Sequence, residues 1–76
     1  MTPAQCRAAR ALLAIEQGEV ADAAGIARAT LIDFEKGQRH PRPTTVAAIR
    51  ASLEVAGVEF IAENGGGAGV RLRKRP

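Results

Sequence analysis

With 76 residues the chain has room for one small domain, and at that length only about 60% of the unfolded surface is hidden on folding, so stability is marginal. Hydrophobic residues at 46% against charged residues at 25% are a globular balance, and the lone Cys6 excludes an internal disulfide or a cysteine-based zinc site. No apolar run nears the roughly 18 residues of a membrane span, so a soluble, cytoplasmic protein without membrane contact is expected. The net charge of +3 conceals two basic clusters, Lys36–Arg42 and Arg71–Arg75, on a chain whose first 63 residues sum to −1, which points to an anionic partner, nucleic acid first.

Thr2-Pro3 reads as an N-cap followed by proline at the first helical position. Cys6, Ala9, Leu12, Leu13 and Ile15 then recur at helical spacing, predicting a first helix over about 3–15. A short second helix follows near 18–24, with Val20, Ala21 and Ala24 inward, and Gly25 supplies a sharp turn. A third helix over about 28–36 turns Leu31 and Phe34 inward, and Gly37 ends it. The prolines and glycine of Gly-Gln-Arg-His-Pro-Arg-Pro make 37–43 a loop. A fourth helix carries Val46, Ile49, Leu53 and Val55 to about Ala56, and Gly57 caps it. The period then drops to two: Val58, Phe60 and Ala62 alternate with Glu59, Ile61 and Glu63, and Val70 and Leu72 alternate with Arg71 and Arg73. A glycine-rich turn joins the two runs into a hairpin. Such a hairpin is marginal alone and needs the helices or a second chain to lie on.

Residues 17–36 contain the parts of a helix-turn-helix. Ala21 must be small for the two helices to approach, Gly25 must turn the chain, and Val20, Ala24, Ile26, Leu31 and Phe34 must be apolar to set the crossing angle. Only then does the second helix project far enough to enter a major groove.

The ordered set Gln17, Ala21, Ala23-Ala24-Gly25-Ile26, Arg28-Ala29-Thr30-Leu31, Phe34-Glu35-Lys36-Gly37 and the Arg-Pro before the fourth helix resembles the phage-repressor-like helix-turn-helix regulators of the Cro/C1 or XRE type. The resemblance covers about residues 3–57. It implies a mainly α fold, a lambda-repressor-like bundle of four to five short helices, here followed by a C-terminal β-hairpin or pair of short strands. Residues 1–57 would be the DNA-binding domain and 58–76 a strand extension with a basic tail.

The resemblance also implies roles. Gln17 matches the glutamine that hydrogen-bonds a phosphate and leans on the recognition helix. Arg28, Ala29 and Asp33 match its outward, base-reading positions, with Ile32 at their margin. Arg28 can pair with guanine O6/N7, Ala29 can touch a thymine methyl, and Asp33 can accept from cytosine N4. Asp33 is alternatively a residue that orients Arg28. Thr30, Lys36, Arg39 and Arg42 would hold the phosphate backbone. Arg10 and Glu35 match a buried ion pair between the first helix and the end of the third.

Three positions depart from the family pattern, one of them Gly18, which stands where helix formers are usual. Glu16 stands where Ser or Thr normally caps the second helix, and a carboxylate can still serve there. Ala27 replaces the cap of the recognition helix, at a cost of about 1 kcal/mol.

Cys6 reads as a core residue and His40 as a solvated or phosphate-facing one. The glycine run lacks the Lys-Ser/Thr of a phosphate loop. No catalytic pairing or metal-ligand spacing appears, so neither an enzyme nor a cofactor is expected. Two function classes remain. One is a sequence-specific regulator of double-stranded DNA, most simply a repressor, acting as a homodimer on a palindrome. The other is a protein-interaction module on the same fold, an anti-activator or antitoxin-like partner. In the first, Val58, Phe60, Val70 and Leu72 pair across a two-fold axis. A competing use of the tail runs Arg71–Arg75 along phosphates.

Overall fold

The computed structural model describes residues 1–74. Four helices, α1 (Pro3–Leu13), α2 (Gln17–Ala24), α3 (Arg28–Glu35) and α4 (Pro43–Ala56), precede two strands, β1 (Val58–Ile61) and β2 (Gly69–Leu72). The bundle therefore has four helices, the lower of the expected numbers. No helix among the described residues is long and apolar enough to cross a membrane.

Local chemistry sets the helix ends. Thr2 caps α1 in a reciprocal box: its side chain accepts from the Gln5 N–H at 3.1 Å, and the Gln5 side chain accepts from the Thr2 N–H at 2.8 Å. The helix stops at Leu13, two residues short of the expected end, because Ala14 adopts a left-handed conformation at φ 55°. That geometry costs a non-glycine residue about 1 kcal/mol or more. Ile15 nevertheless packs against the core from outside the helix. Gly25 closes α2 at φ 69°, and the Ile26 N–H returns to the Ala21 carbonyl at 3.0 Å, the sharp turn expected there.

The core is Cys6, Ala9, Val20, Ala21, Leu31, Phe34, Ile49, Leu53 and Val58. It draws on all four helices and on β1, so the first strand shares one core with the bundle.

The hairpin is antiparallel, with Val58 opposite Leu72 and Phe60 opposite Val70. These four residues share one face of the sheet, and that face lies on the chain's own helices. Val58 is fully buried, while Phe60 and Val70 pack partly buried against the core. The Arg50 guanidinium also covers the Phe60 ring at 5.3 Å. Of the four residues expected to pair across a two-fold axis, three are thus engaged by the chain's own helices. A two-stranded sheet has one apolar face to bury, and α1 and α4 already take it. Leu72 alone of the four is exposed. The outer face carries a Glu59–Arg71 pair at 3.1 Å.

β1 ends at Ile61, not at Glu63. The Glu63 carboxylate instead folds into the turn and accepts from the Gly65 and Gly67 N–H groups at 2.7 and 3.0 Å. Those backbone bonds hold its carboxyl below the ordinary range.

Candidate nucleic-acid interface

A reading helix must be rigid on its inner side and bare on its outer one. On α3 the inner side is Leu31, Phe34 and Glu35, all buried. Arg28 and Ala29 are exposed, and Ile32 and Asp33 half-buried. At 100° per residue these four span about 140° of the helix, centred opposite Leu31 and Phe34.

The C-terminal end of α3 is anchored through Glu35, which is 2% exposed. Arg10 grips its carboxylate with two bonds, Nε to Oε2 at 2.7 Å and Nη2 to Oε1 at 2.8 Å. Gln17 donates to Oε1 at 2.9 Å, and the Cys6 thiol donates to Oε2 at 3.1 Å. Arg7 donates to the Glu35 backbone carbonyl. Burial alone would raise the Glu35 carboxyl, but the bonds from Arg10, Gln17 and Cys6 outweigh it and hold the group below its ordinary value. Conversely, burial and the bond to Glu35 push the Cys6 thiol up to about 12, so it stays protonated and donates. Arg10 thus meets Glu35 as a two-bond ion pair. Cys6 is a core residue that also bonds to the pair, a role composition could not show.

Gln17 sits at the start of α2, as the sequence places it, and leans on α3 through Glu35. One N–H of its amide is committed there; an amide has two. The Glu19 carboxylate returns to the Glu16 N–H at 3.4 Å at the same helix end. At the start of α3, Ala27 makes no side-chain cap, as its methyl requires.

Asp33 does not orient Arg28. Five residues apart on a helix leaves the two side chains about 140° apart around the axis. The neighbour of Asp33 is Arg39, at 3.8 Å, brought back by a bond from the Gln38 N–H to the Asp33 carbonyl at 3.0 Å. Lys36, Arg39 and Arg42 are exposed along the loop that follows α3, and Thr30 is half-buried. Arg42 occupies the N-cap position of α4 without capping it through its side chain.

The helix-turn-helix family matches residues 7–60, well over half of the chain. The chain belongs to the helix-turn-helix family, of the Cro/C1 type. A search of curated proteins found no match. The helix-turn-helix here is α2, the Gly25 turn and α3, and the family is one of DNA-binding regulators rather than enzymes. This helix-turn-helix protein is thus a DNA-binding regulator.

The second basic cluster lies elsewhere. Arg71 is engaged by Glu59, and Arg73 and Lys74 sit beside Val55, Ala56 and Gly57, where α4 ends. The Lys36–Arg42 loop adjoins the other end of that helix, 14 residues and about 20 Å away. Arg75 lies outside the described residues.

Sequence reasoning missed two contributors. Gln5, besides closing the cap of α1, donates to the Ile61 and Gly69 carbonyls at 3.3 and 2.8 Å and so clips the turn end of the hairpin to the bundle. Its Thr-x-x-Gln spacing was a visible signal for the cap, though not for the clip. Arg7 lies one turn before Arg10, the only hint that it would reach the same helix end.

Proposed function

We propose that the protein is a sequence-specific transcriptional regulator that binds a palindromic operator as a homodimer, with α3 in the major groove, and represses by occupying the site. The observation that supports this most is the contrast between the two sides of α3: an inner side tied to α1 and α2 through Glu35, and an outer stripe of Arg28, Ala29, Ile32 and Asp33. In this reading Arg28 takes guanine O6/N7, Ala29 meets a thymine methyl, and Ile32 borders the contact. Asp33 either accepts from cytosine N4 or holds Arg39 at the groove edge. Gln17, Thr30, Lys36, Arg39 and Arg42 hold phosphates and set the register. Double-stranded DNA is the partner, which places the working protein on the nucleoid in the cytoplasm.

The test is selection from a random duplex library, followed by titration of the enriched site at two salt concentrations with the native chain and Arg28→Ala. The reading expects an enriched palindrome that Arg28→Ala broadens or loses while the salt dependence largely persists. Absence of enrichment, with only weak and salt-sensitive binding, would sink it in favour of the protein-interaction module.

A further inference from the structure

Asp33 is tied to the loop that follows α3 through both its backbone and its side chain. Gly37 turns the chain at φ 72°; its N–H bonds to the Phe34 carbonyl and the Gln38 N–H bonds to the Asp33 carbonyl, each at 3.0 Å. Two such bonds around a left-handed glycine fix the direction in which the chain leaves the helix. Arg39 comes next, and its Nε lies 3.8 Å from the Asp33 carboxylate.

Position, charge and donor count bear on what this carboxylate does. In a helix-turn-helix the base edges are met by the first residues of the reading helix. Asp33 is the sixth of the eight residues of α3 and lies about 7.5 Å along its axis from Arg28. A bare carboxylate is repelled by the phosphates that flank a groove, whereas a paired one carries no net charge towards them. A guanidinium has five N–H donors in a planar fork, so an arginine that turns its Nε to a carboxylate keeps others for a phosphate oxygen. The pair adds little to the fold, because the Arg39 and Asp33 side chains are 57% and 36% exposed. Its value lies in where it puts the guanidinium.

We infer that Asp33 is a positioning residue for Arg39 and reads no base: it holds the guanidinium beside the last turn of α3, with the remaining donors presented to a phosphate. A free arginine gives up side-chain freedom when it binds, and one already restrained gives up less. Base reading then falls to Arg28, Ala29 and Ile32. The inference rests on the DNA-binding reading above and decides between the two uses that reading leaves to Asp33.

Site selection with the native chain and with Asp33→Asn is the first test, and both are expected to enrich the same duplex. Titration of that duplex with the native chain, Asp33→Asn, Arg39→Ala and the double variant is the second, with circular dichroism melting to check that each is folded. In the Arg39→Ala background, Asp33→Asn only removes a negative charge near phosphates, so binding is unchanged or tighter. With Arg39 present the substitution also frees the guanidinium, and its effect is expected to be less favourable by about threefold or more. A changed preference at one base pair in Asp33→Asn would overturn the inference, because Asp33 would then be a base reader. Equal effects in the two backgrounds would overturn it as well. So would a larger gain with Arg39 present, which would mean that the carboxylate competes with phosphate for the guanidinium. If the native chain enriches no duplex, the sequence-specific reading falls and the role of Asp33 falls with it.

Discussion

The two ends of α3 differ in how they are held. At the C-terminal end, four side chains from α1 and α2 converge on Glu35, through its carboxylate and its backbone carbonyl. At the N-terminal end, Ala27 offers no cap and Arg28 and Ala29 stand exposed. The contrast separates two demands on a reading helix. Its direction must be fixed by the bundle, which the buried ion pair accomplishes from the far end. Its first turn must leave its outward side chains free of the bundle, as Arg28 and Ala29 are.

The largest effect is expected where the anchoring is densest. Arg10→Met leaves a buried carboxylate without its cation, at a cost of about 3–5 kcal/mol. A domain of this length has only about 4–11 kcal/mol in total. Urea unfolding should therefore show the variant largely or wholly destabilised. A loss under about 1 kcal/mol would mean that the bonds from Gln17, Cys6 and Arg7 hold α3 by themselves.

The same anchor predicts an acid limb. Glu35 titrates below its ordinary value of 4.5 in the folded state, so its contribution is fully present above that value and is lost as pH falls through the lower folded one. Unfolding midpoints should be flat through neutral pH and fall steeply on acidification below the carboxylate range. In Glu35→Gln the neutral-pH stability is lower and the acid limb shallower. An unchanged limb would assign it to other carboxylates.

At the open end, effects should appear in binding rather than in folding. Arg28→Ala is expected to leave the melting midpoint within error and to cost about 1–3 kcal/mol of discrimination at one base position. A stability change comparable to that of Arg10→Met would show that the open end is not open. The smallest effect sharpens the contrast most. Ala27→Ser adds the missing cap and should stabilise the fold by about 1 kcal/mol. Whether the same change weakens DNA affinity, read by titration against the selected duplex, decides if the bare first turn serves binding; equal or tighter binding would show that it does not.

Much of this protein follows from its sequence read locally. Thr2-Pro3, Gly25, Gly37 and Gly57 mark where helices begin and end, because caps and positive φ angles involve residues a few positions apart. The switch from helical spacing to alternation at Val58 marks the hairpin for the same reason. The outward stripe of α3 is likewise a matter of 100° per residue.

Tertiary structure decided what those elements do to one another. The clip from Gln5 spans 56 and 64 residues, and the thiol of Cys6 reaches Glu35 across 29. Neither distance leaves a period in the sequence. Asp33 found Arg39 because the loop folds back, and the apolar face of the hairpin went to α1 and α4 because they were the nearest surface able to bury it. Sequence determines which side chains are apolar, charged or able to turn the chain. Which of them meet depends on how the helices dock, and that follows from filling one shared core, a property of all the elements at once.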